Sequence, residues 1–133
     1  MTQEQKDILL KDLSARLPYK VKVQDTYYKS LEPNPIWLID LHAQKVRLFA
    51  DEGYQNIEYI KPYLFPLSSM TEEQKEKALS LLRNCDYYLI DGVIKWLDNC
   101  PIEFFDWCNE NHFDYRGIIP MGLALDATDK NIY

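Results

Sequence analysis

The chain lacks the features that usually announce a chemistry. Only three of its 133 residues are cysteine, Cys85, Cys100 and Cys108, and no two stand in Cys-x-x-Cys spacing. So odd and scattered a set argues against a disulfide framework or zinc knuckle and predicts reduced, mostly buried thiols. There is no Gly-x-Ser-x-Gly, no phosphate-binding loop and no His-Glu-x-x-His, which removes the common hydrolase, nucleotide and metalloprotease signatures. No apolar run approaches the ~20 residues of a membrane helix. Met1-Thr2-Gln3-Glu4 has neither a basic nor an apolar leader pattern, which predicts a cytoplasmic protein without a membrane partner. Basic charge is short as well. A net charge of −6 lacks the basic footprint of direct nucleic-acid binding.

What remains is a globular composition, 47% apolar and 27% charged. This length suits a single domain over residues 1–133, with a core that needs no metal or disulfide staple. The charge is unevenly spread. Residues 1–70 hold nine basic and nine acidic side chains, residues 71–133 six and twelve, so the whole −6 lies in the second part. That half reads as a solvated acidic face, and as a surface able to dock on a protein partner with a basic surface.

Thr2 and Gln5 form a capping-box pattern ahead of Leu9, Leu10, Leu13 and Leu17, predicting an amphipathic helix that Pro18 ends. Tyr19 to Gln24 alternates as a strand with Tyr19, Val21 and Val23 inward. Asp25 to Pro35 reads as an irregular link. Ile36 to Leu41 and Lys45 to Ala50 flank His42-Ala43-Gln44 as a hairpin, and Asp51-Glu52-Gly53 turns the chain out of it. Ile57 to Ile60 reads as a short strand, and Pro62 to Pro66 as an extended lead-in.

Met70-Thr71-Glu72-Glu73-Gln74-Lys75 nearly repeats Met1-Thr2-Gln3-Glu4-Gln5-Lys6. Shared capping chemistry explains this better than duplication, and predicts a second helix from Thr71 to about Asn84. Asp91-Gly92 lies between two apolar runs and predicts a hairpin over 86–97. Tyr87, Ile90, Ile94 and Leu97 also fit a helical stripe, but Gly92 would cost a helix interior about 1 kcal/mol. Pro101 opens a third helix, with Asn99 or Cys100 as cap and an end near Asn111 or His112. The sum is an α+β fold, three helices packed on a small mainly antiparallel sheet of about four to six strands.

Asn109 to Ala127 is the densest mixture of ionisable, aromatic and backbone-special residues. His112, Asp114, Tyr115 and Arg116 fall within five positions, with Gly117 and Gly122 following. Arg116 suits a bidentate pair with Asp114 or with a carboxylate elsewhere, and the glycines suit positive-φ turns. Together they predict a C-terminal clamp wrapped back over the third helix.

Phe113-Asp114-Tyr115-Arg116-Gly117-Ile118-Ile119-Pro120-Met121-Gly122-Leu123-Ala124, with Lys61-Pro62-Tyr63-Leu64-Phe65-Pro66-Leu67-Ser68-Ser69-Met70-Thr71-Glu72-Glu73 upstream, resembles short uncharacterised proteins of Bacteroides-type gut bacteria and their phages. The resemblance implies an intracellular protein linked to a phage or mobile element. It brings no activity, cofactor or catalytic residue. Phe65 departs from that group's pattern, where Arg is commoner, so an anion-binding role for the Arg is missing here.

The candidate binding residues are therefore His112, Asp114, Tyr115 and Arg116, joined by the tyrosine pair Tyr27 and Tyr28. Tyr87-Tyr88 beside the hairpin has the same rigid, amphipathic character. No catalytic residue, metal ligand or cofactor is assigned. The expectation is a non-enzymatic protein-binding or modulator protein of phage or mobile-element origin, with a homodimer suggested by its aromatic surface. The alternative is a small metal-dependent or Cys/His enzyme centred on His112. Asp40-x-His42 and His112-x-Asp114 would supply four N/O donors if they met. Cys108 and His112 stand at helical i, i+4 spacing for a nucleophile and base. The acidic neighbours Asp106 and Glu110 and the aromatic helix predict a buried, unreactive Cys108 instead.

Overall fold

The computed structural model describes residues 1–27, 32–48, 53–83, 85, 87–96 and 101–133. Its α+β architecture holds three α-helices, α1 (Gln3–Arg16), α2 (Glu72–Leu81) and α3 (Ile102–Glu110). Both capping boxes form. Thr2 Oγ1 accepts from the Gln5 N–H at 3.1 Å, and Gln5 Oε1 from the Thr2 N–H at 3.0 Å. Thr71 and Gln74 repeat the pair at 3.2 and 2.9 Å. Each box satisfies N–H groups that a first helical turn leaves unpaired. At the start of α3, Pro101 is itself the cap and not the first helical residue. Asn99 and Cys100 lie outside the described residues, as do Asn84, Asp86 and Leu97 at the predicted ends of α2 and the hairpin.

The described strands form three small sheets where a single one was expected. The first contains β1 (Lys22–Asp25), β2 (Asn34–Pro35), β6 (Ile60–Leu64) and β9 (Leu125–Asp126), in the order β2-β1-β6-β9. The second contains β3 (Leu38–Asp40), β4 (Lys45–Arg47) and β5 (Gln55–Asn56) in sequential order. The third is the hairpin of β7 (Tyr87–Ile90) and β8 (Val93–Trp96). Every ladder is antiparallel except β6 with β9.

Three local expectations are corrected. The first strand starts at Lys22, because Pro18 draws Leu17–Tyr19 into a 3₁₀ turn that Lys20 closes at φ 58°. Ile57 to Tyr59 is a 3₁₀ turn, and the strand begins only at Ile60. The link before Pro35 is not wholly irregular, since Asn34 pairs with Val23. The strand then runs through Pro62 without losing a ladder bond to β1. Thr26 N–H donates to the Tyr59 carbonyl at 2.8 Å, which puts the Val23–Pro62 pair in a non-hydrogen-bonded position. The missing proline N–H is not needed on that side.

Two apolar clusters fill the interior. The first joins Leu9, Leu10 and Leu13 of α1 to Val21, Val23, Ile60 and Leu64 of the β1–β6 region, with Ile118 from the C-terminal part. The second joins Ala78 and Leu82 to Ile94, Phe104, Cys108 and Phe113. Each fully buried aliphatic side chain contributes roughly 1.5–3 kcal/mol relative to exposure. Among the described residues, no helix is long and apolar enough to cross a membrane.

Candidate functional site

The end of α3 sets up the focal region. Phe113 N–H donates to the Cys108 carbonyl at 2.8 Å and His112 N–H to the Asn109 carbonyl at 3.2 Å. That is the Schellman pattern, with His112 at φ 63° in the left-handed place that glycine usually fills. The chain then docks beside β6. Phe65 N–H donates to the His112 carbonyl and Asp114 N–H to the Phe65 carbonyl, both at 2.8 Å. A second Schellman turn follows, in which Leu123 donates to Ile118 at 3.0 Å and Gly122 to Ile119 at 2.9 Å. Here the left-handed residue is Gly122, at φ 77°. Two successive turns of this pattern shape the segment, which does not wrap α3 alone: Tyr115 packs on Phe105 of α3, while Ile118 joins the α1 cluster.

Asp114 does not pair with Arg116. Its two oxygens accept from Ile118 N–H and Ile119 N–H, each at 2.9 Å, and so close the loop over Gly117. Arg116 reaches the other carboxylate that its fork allowed, Asp12, with Nε 3.2 Å from Oδ1. Asp12 also takes a bidentate contact from Arg16 at 2.8 and 3.2 Å, and both residues are fully buried. A further Arg16 N–H donates to the Phe113 carbonyl at 2.7 Å. The Tyr115 ring lies under both guanidinium groups, at 5.3 Å from Arg16 and 5.0 Å from Arg116, and its hydroxyl meets Arg116 at 3.1 Å. One carboxylate therefore ties two arginines, helix α1 and the C-terminal clamp together.

The sequence reading missed Asp12 and Arg16. The signal was present: both lie on the helical stripe of Leu9 and Leu13, where a charge must find a buried partner.

His112 points elsewhere. Its ring stacks on Tyr133 with centroids 3.7 Å apart and planes 12° from parallel. Tyr133 is fixed in turn, its hydroxyl donating to the Tyr63 carbonyl at 2.8 Å and accepting from Lys22 N–H at 2.9 Å. Burial, with Arg16 and Lys22 nearby, pushes the imidazole down to about 4, so it is neutral near pH 7. Burial pushes the Cys108 thiol up to about 12. The thiol is not activated, because a nucleophilic thiol needs its pKa lowered. His112 and Asp114 also diverge, one onto Tyr133 and the other into backbone caps. Asp40 similarly accepts from Ala43 N–H at 2.9 Å, and His42 is exposed. Among the described residues, no group of three or more His, Cys, Asp or Glu could hold a metal ion.

A cleft of about 410 Å³ opens beside the His112 ring, lined by Phe65, Phe113, Tyr133, Glu110 and Asp129 among others. Tyr27 stands far from it, at the other end of β1, where its ring lies 5.0 Å from that of Tyr59. Tyr28 lies outside the described residues. The hairpin shows a different feature. All four residues of β7, Tyr87, Tyr88, Leu89 and Ile90, are 41–55% exposed. Among the described residues, β7 pairs with β8 alone, and its outer edge has no strand beside it. Comparison with protein-family models, curated proteins and solved structures finds no match to this chain.

Proposed function

We propose that this is a non-enzymatic protein-binding module of phage or mobile-element origin, which takes an extended segment of a partner protein along the edge of β7. The supporting observation is the uncovered run Tyr87-Tyr88-Leu89-Ile90 on an unpaired strand edge. Natural sheets blunt such edges with charge, proline or a bulge, and none stands within these four residues. An open edge supplies backbone donors and acceptors for strand addition, and alternate side chains supply specificity.

Charge favours a basic partner segment. Tyr87 pairs with Trp96, whose ring lies 5.1 Å from Phe104, so the hairpin rests on α3. The outward side of α3 carries exposed Glu103, Asp106 and Glu110 beside Ile102, itself 69% exposed. An alternating apolar and basic strand matches this surface, and the stripe would steer its encounter. The Cys/His alternative finds less support, since Cys108 is buried in a wall of aromatic rings with a raised pKa.

A bead-displayed peptide library, screened with the purified protein, tests the reading. Expected are peptides that alternate apolar residues with Lys or Arg. They should lose binding to Leu89→Lys and to the triple reversal Glu103→Lys, Asp106→Lys, Glu110→Lys. Selected peptides that bind both variants as well as the parent would overturn it. Sedimentation of the free protein identifies a second copy as the occupant if a dimer forms that Leu89→Lys dissolves.

A further inference from the structure

The cleft beside His112 is separate from the β7 edge and shares Glu110 with the acidic side of α3. We propose that it binds a small organic cation, an ammonium or guanidinium group carried on a short apolar or planar body. Its volume, about 410 Å³, is in the range of small-molecule sites. Phe65, Phe113 and Tyr133 form its aromatic wall, with ring centroids 6.3 Å apart for Phe65–Phe113 and 5.9 Å for Phe65–Tyr133. Two carboxylates, Glu110 and Asp129, stand among the described lining residues, and no Lys or Arg does. Neither carboxylate forms an ion pair with any described residue.

The nearest basic groups already have partners, although the Lys22 ammonium lies 5.9 Å from the Tyr133 ring centroid. Arg16 is held by Asp12 and the Phe113 carbonyl, and Lys22 Nζ donates to the Ile132 carbonyl at 2.8 Å. The imidazole in the lining is neutral near pH 7, so the formal charges among the described lining side chains are those of Glu110 and Asp129. Aromatic faces attract a cation by their quadrupole, and carboxylates add charge-assisted hydrogen bonds.

Two of the six described non-glycine residues with left-handed φ line the cleft. His112 and Asp129 both line the cleft and both hold left-handed φ, 63° and 61°. That region is unfavourable for histidine, whereas aspartate visits it readily. At His112 the Schellman geometry would accept glycine readily, yet an imidazole stands there as part of the wall.

The test is two-dimensional amide NMR of the ¹⁵N-labelled protein titrated with agmatine and tyramine. Benzoate and 4-ethylphenol serve as anionic and uncharged controls. Saturable shifts at the amides of Glu110 to Phe113 and Thr128 to Lys130 are expected with the two cations alone. Glu110→Gln and Asp129→Asn should each weaken binding by roughly tenfold or more, the loss of one charged hydrogen bond. Both variants keep the fold: Glu110 is exposed, and asparagine tolerates the left-handed conformation of Asp129. No saturable shift, shifts centred elsewhere, equal binding of either control, or unchanged affinity in both variants would overturn the proposal.

Discussion

Asp12 and Arg116 stand 104 positions apart, and the Arg116 Nε donates to Asp12 Oδ1 at 3.2 Å. With Arg16 on the same carboxylate, two cations share one buried anion. The arrangement is asymmetric. Arg116 keeps its side chain 25% exposed, whereas Arg16 and Asp12 are at 0%. Asp12→Ala strands the Arg16 charge away from water, and should cost about 3–5 kcal/mol. Arg116→Ala removes the outer partner alone, and should cost about 1 kcal/mol. Urea unfolding of both variants gives the comparison. Equal losses would mean that Arg16 is not stranded when Asp12 is removed, contrary to the burial.

A second prediction concerns pH. His112 titrates near 4 in the folded protein, against 6.5 for an ordinary histidine, mainly through burial and then through Arg16 and Lys22. Between those values the unfolded chain binds a proton that the folded protein does not, so stability rises with pH across that window. The contribution is present in full above about pH 6.5 and is lost as pH falls through about 4. Melting temperatures of the parent and His112→Asn, compared from about pH 7 down to about pH 4.5, isolate it. Asparagine tolerates the left-handed φ while removing the titration. The parent should lose more stability on acidification than the variant. Parallel curves would mean that the imidazole is not shielded.

Much of this was legible because it is local. Thr2 with Gln5 and Thr71 with Gln74 complete their hydrogen bonds within three residues, so sequence spacing specifies them. Asp91-Gly92 likewise carries its own turn geometry. The partner of Arg116 was not local. Whether that guanidinium meets Asp114 or Asp12 depends on how the clamp lies over α1, and no periodicity encodes it. The division of the strands into three sheets fails for the same reason. Each described strand has five residues or fewer. Runs so short show alternation but not which neighbour they join. The sequence singles out Tyr87-Tyr88, whereas nothing in it marks Leu89 and Ile90 as exposed, because an apolar residue gives no sign of which face stays uncovered.

The last prediction bears on the hairpin that presents this edge. Asp91 and Gly92 both hold positive φ, 50° and 78°, as a two-residue type I′ turn requires. A Cβ at Gly92 would meet nothing within 4 Å, so a substitution there costs conformation and not space. Gly92→Ala should destabilise the turn by roughly 1–2 kcal/mol, whereas Asp91→Asn should leave it unchanged or slightly firmer. A lone two-stranded ribbon is marginal in water, and this one gains its support from Trp96 against Phe104 and Phe105. The loss should therefore be felt first in the ribbon. Amide exchange would quicken across residues 87–96 in Gly92→Ala and stay as in the parent within α1. Uniform quickening throughout the chain would mean that the hairpin unfolds only with the whole protein, and that its edge is a rigid part of the core.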